Sequence, residues 1–433
     1  MQDVGRRARQ ASHLLAHLPR AEKDGALLGL ATILTGQQEE ILAANALDVS
    51  AAERAGLEPA LVDRLTLDPE RLGAIAADLH QVAGLPDPVG ETFDEATLPN
   101  GLQLHKQRVP LGVLAAIYES RPNVTIDVAA LALKTGNAVI LRGGSETLHS
   151  NRALVRAVHE ALRQCGLPES SVQFIDDPDR ARVTELLRLD EFVDMVIPRG
   201  GRSLHEFCRR NSSIPVITGG IGICHLFVDQ SADLEAARRV IHNAKTQRPT
   251  VCNSLDTALV HRAVAAEFLP GLVDFLGADG VTFRADPSAL PFLVSQSAAP
   301  PARQPARPAN PALPVSVTVA GPEDFDTEWL SLVLGLKVVD SLQEAVDHIR
   351  LHSTGHSDGI LTGDEENASR FVELVDSAAV YVNASTRFTD GAQFGLGAEV
   401  AISTQRLHAR GPMGLRELTT YKWVVRGEYH VRS

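Results

Sequence analysis

From Val113 onward, short runs of aliphatic residues alternate with helical segments, and this alternation narrows the fold more than anything else in the chain. The apolar runs lie at 113–117, 138–141, 172–175, 193–197, 214–217 and 225–228. Helical periodicity fills the spaces between them at 125–134, at 149–164, from Ser203, and at 233–245. A second series follows, with strand-like runs at 258–260, 336–339, 359–361 and 379–382 and helices at 262–276, 341–351 and 364–376. Strands that read as continuous apolar runs are buried on both faces, and intervening helices supply the crossovers of a parallel sheet. The expected class is α/β, and 433 residues suffice for about two or three domains.

Before Val113 the texture differs. Residues 1–85 read as helices: Leu27, Leu30, Ala31 and Leu34 share one helical face. Asp68-Pro69-Glu70 starts another helix, with Asp as cap and Pro in the first turn, and its apolar stripe runs through Leu72, Ile75 and Leu79. Residues 92–109 alternate around Pro99-Asn100-Gly101 and predict a hairpin, and 421–431 read as a further strand. The stretch Pro300–Pro314 holds six of the 24 prolines and reads as a loop within the second series.

Composition removes several function classes. A net charge of −13 argues against a general nucleic-acid binder, because counterion release needs a dense basic face. No apolar run approaches the roughly 18 residues that span a membrane, and Arg6, Arg7 and Arg9 precede no signal-like core. Four cysteines without CxxC spacing fit a reducing, cytoplasmic setting.

Neither GxGxxG nor a P-loop sequence occurs; Gly219-Gly220-Ile221-Gly222 and Gly395-Leu396-Gly397 complete neither. Two glycine pairs do follow strand-like runs: Arg142-Gly143-Gly144-Ser145 and Arg199-Gly200-Gly201. Glycines there let backbone N–H groups approach a phosphate at a helix N-terminus, with an arginine fork beside each; the other reading is two tight turns with solvated arginines. Cys165, Cys208 and Cys224 read as small buried hydrophobes. Cys252 sits in a polar segment with Lys245 and Arg248 nearby, surroundings that suit a nucleophilic thiol as well as a loop thiol. From the residues alone, a cofactor-free hydrolase or acyltransferase using Cys252 stays open beside a dehydrogenase. His348, His352 and His356 recur every fourth residue, but Gly355 ends the helix before the third, and a solvated last turn is expected.

Several segments resemble the gamma-glutamyl phosphate reductase family, also called glutamate-5-semialdehyde dehydrogenases, within the aldehyde dehydrogenase superfamily. They include Glu119-Ser120-Arg121-Pro122-Asn123-Val124, Lys134-Thr135-Gly136-Asn137, Ile214-Pro215-Val216-Ile217-Thr218-Gly219-Gly220 and residues 244–252. Tyr381-Val382-Asn383-Ala384-Ser385-Thr386-Arg387-Phe388-Thr389-Asp390-Gly391 and His408-Ala409-Arg410-Gly411-Pro412-Met413-Gly414 extend the likeness to the C-terminal part.

The resemblance implies an aldehyde dehydrogenase-like fold of three parts. A Rossmann-like NADP(H)-binding domain is expected at 1–91 and 110–228, and a catalytic α/β domain with Cys252 at 229–410. A β-flap at 92–109 and 411–433 would join subunits of a homo-oligomer. The implied reaction reduces L-glutamate 5-phosphate with NADPH, with transient contact to glutamate 5-kinase as an expected partnership. Cys252 would be the nucleophile and Asn123 the oxyanion donor. Arg142, Gly143, Gly144, Ser145, Arg199, Gly200, Gly201 and Glu328 would hold the cofactor, with Arg142 at its 2′-phosphate and Glu328 at the nicotinamide ribose. Arg121, Arg248, Asn383, Arg387 and Asp390 would meet the substrate. Hydrolytic relatives carry a base where this chain has Ile217, so a thioester would escape water.

Overall fold

A computed structural model describes residues 1–219, 221–293 and 317–432. The chain divides into two compact units. One comprises Met1–Thr218 with 391–402 and the segment from Leu407 onward; the other comprises 219–390 with Ser403–Arg406. The proline-rich stretch at 300–314 lies outside the described residues.

The first unit opens with helices Gln2–Leu15, Arg20–Gly36, Gln38–Arg54, Pro59–Leu65 and Pro69–Gly84. The expected stripes are buried: Leu27, Leu30, Ala31 and Leu34 on one helix, Leu72, Ile75 and Leu79 on another. Asp68 caps the last of these helices, its carboxylate accepting from Arg71 N at 2.7 Å. Strands β1 (Thr92–Thr97) and β2 (Gln103–Pro110) form the hairpin, and the C-terminal strand Thr419–Arg426 adds antiparallel to β2. On that strand Tyr421, Trp423 and Val425 fall on one face and stay exposed, while Lys106 of β2 lies over the rings of Tyr421 and Trp423.

A parallel sheet follows, built from β3 (Val113–Tyr118), β4 (Ala138–Gly143), β5 (Val172–Phe174) and β6 (Met195–Arg199) in the order β5-β4-β3-β6. β3 and β4 are buried along their whole length, which is why they read as unbroken apolar runs. The expected strand at 214–217 is reduced to a bridge between Val196 and Val216. Pro215 brings no N–H to a ladder there.

The second unit holds a seven-stranded parallel sheet in the order β10-β9-β11-β8-β7-β12-β13. Its strands are β7 (Cys224–Val228), β8 (Leu255–His261), β9 (Thr282–Ala285), β10 (Val317–Val319), β11 (Val333–Val339), β12 (Ser357–Leu361) and β13 (Ala379–Val382). The domain boundary expected at 228 falls earlier: β7 pairs with β8 and β12, and the division comes after Thr218. The C-terminal limit expected at 410 falls earlier as well, because 391–402 and 407 onward belong to the first unit.

Two expectations about single residues are corrected. The helix Leu342–His352 does end before Gly355, which takes a φ of +69°. Its histidines are not a solvated turn, however. His348 is buried edge-on against His225 and Phe325, and burial drives its pKa down to about 2. His356 is fully buried and held near 4 for the same reason. Cys165 is exposed at a helix end, whereas Cys208 and Cys224 are buried as expected. Among the described residues, no helix is long and apolar enough to cross a membrane.

Candidate active site

In the first unit the glycine pairs stand at the carboxyl ends of β4 and β6, the two strands that flank β3, on the edge where open α/β sheets bind ligands. β6 ends at Arg199, and the helix Arg202–Asn211 begins beyond Gly200 and Gly201. Glu119, following β3, lays a carboxylate on this turn and accepts from Gly201 N at 3.1 Å. A Cβ on Gly200 would stand 2.3 Å from that carboxylate, while one on Gly201 would meet open space. The Gly201 N–H is therefore taken by a carboxylate of the chain, which a phosphate at this helix N-terminus would have to displace.

The β4 turn is arranged alike. Gly143 ends the strand, Gly144 caps a 3-10 turn that starts at exposed Ser145, and Glu146 accepts from Ser120 N at 2.8 Å. Ser120 takes the left-handed region at φ +50°, a strained backbone stabilised by this contact. Arg142 departs from its expected role. Its guanidinium is buried and donates to Gly143 O and to Pro178 O at 2.9 Å. Burial lowers its pKa, and Glu146 and Asp177 partly offset this. So Arg142 ties β4 to the 176–179 loop and does not offer a free fork to a 2′-phosphate.

Asn123 is the first residue of the helix Asn123–Lys134. Its amide donates to Asp127 Oδ2 at 2.8 Å, one turn further on. The same turn is anchored from below: Tyr118 OH meets Thr125 Oγ1 at 2.6 Å, and Thr125 donates to Asn151 at 2.9 Å. Arg121, two residues earlier, is exposed.

In the second unit Cys252 occupies the tight turn before β8, half-buried, with Ser254 N donating back to Val251 O at 3.0 Å. Asn253 holds the loop from one side: its amide donates to Thr389 O at 2.9 Å, and its own carbonyl accepts from Thr386 Oγ1 at 2.7 Å. Gly222 closes the other side. A Cβ there would lie 1.5 Å from Cys252 O, so only glycine permits this approach. The neighbouring Cys224 thiol donates to Cys252 O at 3.3 Å; burial pushes its pKa up, so it stays a thiol.

The 386–389 turn carries Arg387 beside this loop. Its Nε donates to Gln247 at 3.1 Å, and burial, then the like charge of Arg248, lower its pKa, while Cys252 and Asp390 act in the opposite sense. Arg248, Arg387, Asp390 and Cys252 thus share one electrostatic neighbourhood. Lys245, adjacent in sequence, is not part of it: it is buried, donating to Leu255 O at 2.8 Å with Asp256 at 3.6 Å. Glu328 reaches the Cys252 loop indirectly, Oε1 accepting from Gly222 N at 2.9 Å. Asn383 is committed elsewhere. With φ at +55°, it pairs its amide with both Thr362 N (2.8 Å) and Thr362 O (2.9 Å).

Residue-level reading missed Glu119, Glu146, Asp127 and Gly222. Asp127 was visible in principle as a carboxylate four residues after Asn123 on a helix, and Gly222 lies in a glycine-rich stretch that matched no motif. The two glutamates gave no signal, because their partners come from other strands.

A family model described as the aldehyde dehydrogenase family matches residues 1–279. The gamma-glutamyl phosphate reductase of Yersinia enterocolitica serotype O:8 is 56% identical over 433 residues, covering all of this chain and 99% of the relative. That of Roseiflexus castenholzii is 56% identical over 435 residues with the same coverage. The crystal structure of the Thermotoga maritima gamma-glutamyl phosphate reductase superposes with a TM-score of 0.93 at 47% identity, over 100% of this chain and 99% of that one. An acetylating aldehyde dehydrogenase from Geobacillus thermoglucosidasius, 19% identical with a TM-score of 0.68, shares the fold. On this sequence identity and this fold, the chain belongs to the gamma-glutamyl phosphate reductase family of aldehyde dehydrogenase-type oxidoreductases.

Proposed function

We propose that this protein reduces L-glutamate 5-phosphate to L-glutamate 5-semialdehyde with NADPH, releasing phosphate, as the second step from glutamate to proline. The carrying observation is the contact that ties Arg387 to the Cys252 loop: the amide of Asn253, next to Cys252, donates to Arg387 O at 3.3 Å, and Arg248 acts on the same guanidinium. Two guanidiniums that repel each other suit an anionic acyl phosphate with an α-carboxylate, which offsets that repulsion. Asp390 beside them suits the α-ammonium.

The Cys252 thiolate attacks C5 of the substrate, forming a C–S bond while the C5–O bond to phosphorus breaks and phosphate leaves with the electron pair. Charge develops on the carbonyl oxygen, where the resemblance assigns the Asn123 amide as donor. When bound, the reduced nicotinamide supplies the hydride that converts the thioester to the aldehyde level. Ile217 is buried and aliphatic, so it activates no water against the thioester. The turns at Gly143-Gly144-Ser145 and Gly200-Gly201 with Arg199 would hold the cofactor's diphosphate, the second already receiving a carboxylate of the chain. The exposed Tyr421, Trp423 and Val425 face supports a flap joining subunits of a homo-oligomer.

The reverse reaction tests this reading: semialdehyde and NADP⁺ generate NADPH absorbance only when inorganic phosphate is present. A phosphate-independent signal would identify a hydrolytic dehydrogenase, and no signal would remove the reading altogether. For the cofactor, Arg142→Met is expected to raise KM for NADPH and NADH by similar factors, because Arg142 is tied to backbone carbonyls. A loss confined to NADPH would return it to the 2′-phosphate.

A further inference from the structure

We infer that Asp127 is a positioning residue for the oxyanion donor, holding the Asn123 amide so that one N–H is spent and the other is aimed. This rests on the proposed role of Asn123.

Three observations carry it. Asn123 and Asp127 lie one helical turn apart, and their side chains meet at 2.8 Å. Their helix start is locked by the Tyr118–Thr125–Asn151 chain, so the pair sits on a rigid base. Arg199, at the end of β6, also acts on Asp127 and favours its charged form. The Asp127 pKa is raised to about 6: burial outweighs the Asn123 contact and Arg199, which pull it down, and Asp78 of the helix Pro69–Gly84 adds to the rise. At neutral pH the carboxylate is therefore ionised, and an ionised carboxylate only accepts. That fixes which end of the amide faces it: Nδ2, never Oδ1. Without this partner the amide can turn by half a revolution and present an oxygen to the developing oxyanion, converting a donor into a repulsive acceptor.

The consequence separates from a structural role in a double-mutant cycle. Asn123→Ala alone is expected to lower kcat by about 10²–10³, the usual loss for one oxyanion donor. Asp127→Ala in the wild-type background should lower kcat by about tenfold or more with KM changed less than about threefold. In the Asn123→Ala background, the same Asp127→Ala change should cost almost nothing further. Asp127→Asn keeps the shape but donates as well as accepts, so it should recover only part of kcat while its thermal midpoint stays near wild type, which separates lost orientation from a folding defect in the alanine variant. If Asp127→Ala costs the same in both backgrounds, positioning is overturned. If Asn123→Ala leaves kcat unchanged, the oxyanion role falls, and the inference with it, while the reverse assay still reports on the overall reaction.

Discussion

Cys252→Ala removes turnover in both directions, by about four orders of magnitude or more. No other thiol can take over. Cys224 is buried, its sulfur points at the Cys252 carbonyl, and burial keeps it protonated. Cys208 is buried with its pKa pushed up to about 12, and Cys165, although exposed, ends the helix Leu148–Gln164 away from any of the glycine turns or polar loops described above. The variant should fold normally, since a half-buried turn residue loses only its sulfur. Two measurements separate lost chemistry from lost structure. NADPH binding, followed by fluorescence titration, should be preserved, and intact-protein mass spectrometry should show an acyl adduct on wild type but none on the variant. Turnover surviving in Cys252→Ala would take the nucleophile role from this residue and reopen the search among the other side chains.

How much of this was readable beforehand follows from what kind of interaction set each feature. The buried strands β3 and β4 were legible because burial on both faces forces unbroken apolar runs. The Asp68 cap was legible because capping is local. The 214–217 run was misread because apolar composition is shared by strands and buried loops, and Pro215 interrupts the ladder. The histidines were misread for a different reason. Helical spacing shows that His348 and His352 share a face, but not that Phe325 and His225 bury it. At the site, Lys245 was close to Cys252 in sequence yet is spent on Asp256 and Leu255 O, whereas Arg387 arrives from a distant segment through the Asn253 contacts. Sequence proximity flagged two cations, of which only Arg248 shares the electrostatic neighbourhood of Cys252; Arg387 entered only through the family resemblance. Glu119 was invisible because only the sheet brings it onto the Gly200-Gly201 turn, and the role of Glu146, already within its own turn, was invisible because only the sheet brings Ser120 to it.

Gly222→Ala should be strongly damaging, although it removes no reactive atom and costs less than loss of the thiol. The added Cβ would lie 1.5 Å from Cys252 O and 2.6 Å from Cys252 C, both backbone atoms with no rotamer to yield. Nor can Gly222 retreat freely, because its N–H donates to Glu328 Oε1 at 2.9 Å and the next residue, Ile223, is held by Thr354 Oγ1 at 3.0 Å. The Cys252 turn must therefore move, against the two Asn253 bonds that fix its far side. A displacement of about 1 Å at a reacting group costs on the order of 10²-fold in rate, and overpacking of this kind costs roughly 1–3 kcal/mol of stability. The expected result is a kcat lowered about 100-fold or more with a modest fall in thermal midpoint. The rate of Cys252 alkylation by iodoacetamide should change with it. As a control, Gly73→Ala on the helix Pro69–Gly84, where a Cβ meets nothing, should be neutral or stabilising by up to about 1 kcal/mol. A Gly222→Ala enzyme with kcat within threefold of wild type would show that the turn relaxes without moving the sulfur. In that case the close approach of Gly222 serves packing, and the thiol is placed by the Asn253 contacts together with the turn's own hydrogen bond.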